Sequence, residues 1–390
     1  MRRKAPMMMT RAIAVVAALT LAAACGSDDG EAGDTAAPAT EAPASEAPAT
    51  EAPTSEAPAS EAPATSGDVA ATLDKNGDGE VVFGIATPGP RDDGAYYQAL
   101  VDGVSAFSED NGFAEPVVVD NIPPAEAATQ LENLARQNVD VVMVGAGEIA
   151  DPLNQLIPKY PDLLWYCNCG AGYQDETGQL IQSNDDNSEI SYTAGYATGL
   201  LMQDAGQTKA AFIGNNNFDF EQEAFRAFEM GLHAVDPNFE WTYVATGSFN
   251  DVAAATEAFN SVYAEGARAV YPYLGGAHEA IVGLANEKGD VIVMSAGSSK
   301  ACDRDDLDYD IAVRFDAGDY VETILDELLA GELQPGDVRT FRVGVDPQPG
   351  AVICEPTPEQ QAAMDDVFAS IAAGDFTDQF FALKKEIYKF

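Results

Sequence analysis

Histidine is scarce in this chain: His233 and His278 are the only two among 390 residues. That leaves few side chains able to exchange protons near neutrality, the usual requirement for general acid–base chemistry. No Gly-x-Ser-x-Gly elbow, phosphate-binding glycine loop or His-Glu-x-x-His helix is present, and Gly145-Ala146-Gly147 lacks the third glycine of a dinucleotide fingerprint. Carboxylate pairs could in principle hydrolyse a glycosidic bond, but acids are so abundant here that pairs arise by chance. The absences point away from an enzyme and away from any cofactor, and toward a binding protein.

Positive charge is also sparse, with 20 Lys and Arg against 64 Asp and Glu and a net charge of −44. Nucleic acid and anionic lipid surfaces would be repelled by such a field, so no nucleic-acid partner is expected. The run Asp74-Lys75-Asn76-Gly77-Asp78-Gly79 imitates the start of a calcium loop. Its twelfth position is Ile85, where a bidentate carboxylate is needed, so it reads as a turn before the first strand and no metal is assigned.

An apolar run of about 20 residues, enough to span a bilayer, is missing too. What stands at the start is shorter: basic Arg2, Arg3, Lys4 and Arg11, the apolar stretch Ala12 to Ala22, then small residues up to Cys25. That order is an export signal over residues 1–25, and Leu21-Ala22-Ala23-Ala24-Cys25 looks like the bacterial lipobox, with Cys25 as the lipid-attachment residue. Two or three acyl chains would hold the protein stably to the extracytoplasmic face of the cell membrane.

Residues 26–66 contain no aromatic, Lys or Arg, and Glu-Ala-Pro recurs at Glu41, Glu46, Glu51, Glu56 and Glu61. Such a segment cannot build a core. It reads as a disordered, semi-stiff tether that at about 3.1 Å per residue would reach on the order of 130 Å. Removing its nine acids and the four signal bases leaves 55 acidic and 16 basic residues from Gly67 onward, a net of −39.

Beyond Cys25 four cysteines remain, Cys167, Cys169, Cys302 and Cys354, in a compartment that permits disulfides. Three full pairings are possible, and a bridge between Cys167 and Cys169 would close an unusually small ring. Zinc is disfavoured, because no second closely spaced cysteine pair accompanies them and both histidines lie in unrelated segments.

Residues 67–390 are long enough for two lobes. Apolar β-branched runs at Val81 to Ile85, Val139 to Val144, Ala210 to Ile213, Ala269 to Tyr273 and Val291 to Met294 read as buried parallel strands. Helical patterns lie between them, at Tyr96 to Asn111, Ala125 to Gln137, Ala150 to Tyr160, Glu189 to Ala205, Glu221 to Val235, Val252 to Glu265 and Ala277 to Lys288. The alternation predicts an α/β fold with a doubly wound parallel sheet, whose ligands bind beyond the carboxyl ends of the strands. Gly147 and Gly275 sit at such ends, where a backbone must approach something closely. After Ile213, the run Asn215 to Phe220 offers Asn217 as an amide reader and Phe218 or Phe220 as a stacking face.

In the first loop, Asp93-Gly94-Ala95-Tyr96-Tyr97-Gln98 resembles the Asp-x-Ser-Phe-Asn-Gln motif of the basic membrane protein family, lipoprotein receptors of ABC importers. Glu189-x-Ser191-Tyr192-x-Ala194-Gly195, Gly247-Ser248-Phe249-Asn250-Asp251 and Gly266-Ala267-Arg268-Ala269-Val270 follow in that family's order, over roughly Val81 to Gly331. The resemblance implies a type I periplasmic-binding fold: two doubly wound lobes joined by about three crossovers, with the ligand clamped between them. It places the first lobe at about 79–187 plus part of 312–345, and the second at about 188–311 plus the C-terminal segment.

By matching position the resemblance also implies that Asp93, Tyr96 and Tyr97 contact the ligand, Tyr96 as the stacking face, with Arg314 or Phe315 where the family has a lysine. The family's ribose-binding Asp is absent from Ser295-Ala296-Gly297-Ser298-Ser299. A purine base or nucleoside is the expected small-molecule ligand and ABC permease subunits are the expected partners. A receptor for a sugar or other polar metabolite, or a surface sensor lipoprotein, would fit the same architecture.

Overall fold

The computed structural model describes residues 66–170 and 172–389. The export segment, Cys25 and the Glu-Ala-Pro tether lie outside them. After helix α1 (Ser66–Leu73), the calcium-like run is a turn whose Asp74 carboxylate accepts hydrogen bonds from the Gly77 and Gly79 N–H groups, at 2.7 and 3.0 Å.

The first lobe begins with β1 (Phe83–Ala86), α2 (Tyr96–Asn111), β2 (Val117–Val119) and α3 (Ala127–Ala135). It continues through β3 (Val141–Val144), α4 (Leu153–Leu156), β4 (Leu164–Asn168) and β5 (Leu180–Asp185). The chain then crosses into the second lobe with α5 (Asn187–Ala205), β6 (Lys209–Gly214), α6 (Asp219–Val235) and β7 (Glu240–Ala245). There follow α7 (Val252–Ala264), β8 (Ala269–Pro272), α8 (His278–Lys288), β9 (Ile292–Val293) and β10 (Ile311–Arg314). A second crossing returns α9 (Ala317–Leu329) and β11 (Val338–Phe341) to the first lobe. A third brings β12 (Gly350–Ile353), α10 (Pro358–Ala373) and α11 (Thr377–Tyr388) to the second.

The first sheet runs β11-β5-β4-β3-β1-β2, all parallel. The second runs β7-β6-β8-β9, also parallel. Met294 bridges to Ile311 beside it, and β10 pairs antiparallel with β12. Every residue of β1, β3, β4 and β8 is buried, as expected of sheets covered by helices on both faces. The alternating α/β reading therefore holds. The predicted helix over Ala150 to Tyr160 shrinks to α4 between short 3₁₀ turns, because Pro152 and Pro158 interrupt an α-helical ladder.

Packing between α5 and α6 depends on two glycines. A Cβ at Gly195 would lie 1.9 Å from the Phe228 carbonyl oxygen, and one at Gly231 would lie 2.0 Å from that of Tyr192. The crossings are fixed by polar groups. The buried Glu189 carboxylate accepts from Arg342 Nε at 2.7 Å and from the Val343 N–H at 3.0 Å. Lys384 of α11 reaches both oxygens of Asp186 at 2.7 Å. Asp316 caps α9 through the Gly318 N–H and also accepts from the N–H and hydroxyl of Ser299. Cys167 is bonded to Cys169, and Cys302 to Cys354, which ties the loop after β9 to the end of β12. Among the described residues no helix is long and apolar enough to cross a membrane.

Candidate functional site

Between the lobes, at the carboxyl ends of both sets of parallel strands, lies a cavity of about 540 Å³, within the range that takes a small metabolite. On the first-lobe side Tyr96 and Tyr97 enter it from the first turn of α2, with ring centroids 5.6 Å apart and nearly perpendicular. Gly147 lies at the end of the β3 loop, where a Cβ would come within 2.5 Å of the Cys169 carbonyl oxygen, so the close approach demands glycine. From the second lobe Phe218, Phe220 and Phe249 form a stack: the first two are 5.6 Å apart at 11°, and Phe249 lies 6.3 Å from Phe220 at 23°. Phe315, at the second crossing, closes the aromatic lining by packing 6.0 Å from Tyr96 and 5.8 Å from Tyr273. Gly275 also lines the space, below Asn250, whose side-chain oxygen accepts from the Gly276 N–H at 2.9 Å.

Three residues named from the sequence lie elsewhere. Asp93 is buried beneath the loop, where its carboxylate caps α2 by accepting from the N–H groups of Ala95, Tyr97 and Gln98. An acid two or three residues ahead of a helix satisfies its orphan donors, and that role turns Asp93 away from the cavity lining. Asn217 sits in a turn held by Glu221, which accepts from the N–H groups of Asn215, Asn216 and Phe218. Its own N–H donates to the Tyr243 hydroxyl, and its φ of 59° is the left-handed value a tight turn needs. Arg314 donates from Nε to the Gly350 carbonyl between β10 and β12, so its neighbour Phe315 is the residue that faces the ligand space.

The structure adds groups that sequence spacing did not single out. Glu148, Asn168, Asp185, Asn187 and Tyr388 all line the cavity, the last from a segment 201 residues beyond the others. Tyr388 donates to Glu223 at 2.8 Å, bringing the last helix to the site. Phe249 stood within a motif that marks the family, yet its place opposite the Tyr pair follows only from the folded second lobe. Burial pushes the Glu148 carboxyl upward. Burial, followed by the nearby carboxylates of Asp186 and Glu223, pushes Asp185 up to about 7. Asn168 is 5% exposed, and its side-chain amide nitrogen has no partner. Aromatic faces with a few inward polar groups suit capture of a small solute, and no nucleophile–base pair is among the lining residues.

A family model described as ABC transporter substrate-binding protein PnrA-like matches residues 80–336. Solved structures share the fold. A solute-binding protein of an ABC transporter system from Aeropyrum pernix K1 is 15% identical with a TM-score of 0.58, covering 79% of this chain and 92% of that one. One from Conexibacter woesei DSM 14684 is 18% identical with a TM-score of 0.55, covering 76% and 97%. A transcriptional activator of the comK gene from Bacillus halodurans, 15% identical with a TM-score of 0.57, covers 74% and 96%. At these identities the likeness carries the fold alone.

Proposed function

The chain belongs to the family of PnrA-like ABC transporter substrate-binding proteins, and from that premise we propose that it captures a small, flat-faced solute such as a purine base or nucleoside and delivers it to the permease of an importer. The observation that carries the reading is the pair of aromatic walls, Tyr96 and Tyr97 from one lobe and Phe218, Phe220 and Phe249 from the other, lining one cavity. Rings presented from both sides favour a flat body between them, each stack contributing about 1–3 kcal/mol. Lobe closure would bring the walls together on the solute and remove it from water.

The export signal and Cys25 make the protein a lipoprotein of the cell membrane in this proposal. The Glu-Ala-Pro segment lets the lobes range from the extracytoplasmic surface to the permease. Cys25→Ser should release the protein from the membrane fraction and abolish incorporation of labelled palmitate. Unchanged membrane association would remove the anchor from the account.

Mass spectrometry of small molecules that copurify with the protein tests the solute. A purine-type mass that disappears in Tyr96→Ala supports the reading. A sugar in the same place would move the assignment to a polar-metabolite receptor, since aromatic faces stack on sugars as well.

A further inference from the structure

Every charged residue lining the cavity is acidic: Glu148, Asp151, Asp185, Asp219 and Glu223. Of these, Glu223 has a cation within reach, the Lys384 ammonium at 3.8 Å, and that ammonium lies nearer to Asp186 at 2.7 Å. Among the described residues no lysine or arginine pairs with Glu148 or Asp185. An acidic composition accounts for carboxylates on a solvated surface. It does not account for two without a cation in a cleft walled by aromatic rings, where a solute filling the space would strip away their remaining water. That loss is costly unless the solute brings the counter-charge.

Two further observations agree. The cavity presents the rings of Tyr96, Tyr97, Phe249, Tyr273 and Phe315, and aromatic faces attract cations. The unpartnered Asn168 amide nitrogen asks in addition for an acceptor atom on the solute. Burial pushes both carboxyls upward, so a cation that pairs with them would also draw off their protons.

We infer that the solute is an organic cation: an ammonium or N-alkylated heterocycle whose charge faces Glu148 and Asp185 and whose body lies against the aromatic walls. The inference rests on the receptor reading above and narrows it, because a neutral purine would leave both carboxylates with only tyrosine hydroxyls, Tyr97 for Glu148 and Tyr320 for Asp185, and no counter-charge.

The test is calorimetric titration near neutral pH with matched neutral and cationic probes: adenosine and 1-methyladenosine, tryptophol and tryptamine, dimethylbutanol and choline. At least one cation should bind about tenfold or more tightly than its neutral mate. Glu148→Gln and Asp185→Asn, each first shown to melt cooperatively, should bring that ratio toward one, and a folding failure in either leaves the other to decide. Neutral members that bind as tightly as the cations, or a preference that survives both substitutions, would overturn the inference while the receptor reading stands. Absence of binding by every probe would overturn the inference, and the receptor reading would then be decided by titration with purine bases and nucleosides.

Discussion

Gly94 and Glu279 touch across the cleft. A Cβ placed on Gly94, in the loop between β1 and α2 of the first lobe, would lie 2.1 Å from Glu279 Oε1 of α8 in the second. Glu279 cannot swing freely away, because Arg304 Nη1 holds the same oxygen at 2.7 Å. Gly94 also has a φ of 70°, which L side chains rarely adopt. Gly94→Ala should therefore disfavour the closed arrangement and weaken solute binding by about tenfold. The melting temperature should move by only a few degrees, since the strain is confined to one loop. Equal affinity in calorimetry would show that this contact does not gate closure.

Stability should depend on pH through Asp185. Its folded carboxyl titrates at about 7 against an ordinary 3.8, so between those values folding takes up a proton. Stability therefore falls as pH rises from about 4 to 7 and stays low above. Asp185→Asn should be more stable than the parent by about 1–3 kcal/mol at pH 8 and nearly equal at pH 4. Urea unfolding at the two pH values measures the difference, and a constant difference would contradict the assignment.

Glu189 is buried and tied to Arg342 and the Val343 N–H, joining α5 to the third crossing. Removing one partner of a buried pair typically costs about 3–5 kcal/mol. Arg342→Ala should approach that figure, because it leaves the 3%-exposed Glu189 side chain without its cation. Glu189→Ala should cost less, because the arginine left behind is 39% exposed and can reach water, and denaturant unfolding of the two variants checks the order.

The two disulfides differ in the chain they enclose, 52 residues apart in sequence for Cys302 and Cys354 against two for Cys167 and Cys169. Loop-closure entropy assigns about 4 kcal/mol to the long loop and less than half of that to the short one. Paired serine substitutions compared by denaturant unfolding give the ratio, and equal losses would refute the entropic explanation.

Much of the architecture was readable because buried parallel strands are apolar runs, and helix α2 begins and ends at Tyr96 and Asn111 as its pattern predicts. Strands β2, β4, β5, β7, β10, β11 and β12 escaped notice: Leu180–Asp185 mixes polar side chains into a buried strand, Glu240–Ala245 and Val338–Phe341 lie half exposed at sheet edges, and Leu164–Asn168, although fully buried, has no β-branched residue to mark it. For the site, position after a strand identifies loops but not which side chain points inward. Asp93 and Tyr96 lie three residues apart, yet one caps helix α2 and the other faces the cavity from its first turn. Glu148 and Asp185 were hidden for a different reason: among 64 acids, nothing in the sequence separates two carboxylates in a cavity from the solvated majority.

Calorimetric titration with adenine, guanine, hypoxanthine, their nucleosides and 1-methyladenosine, run on the parent and on Tyr96→Ala, tests the clamp most directly. The account predicts that at least one of these binds one to one below about 100 µM, and that the substitution weakens it by about 1–3 kcal/mol. No binding by any of them, or an affinity that Tyr96→Ala leaves unchanged, would contradict it.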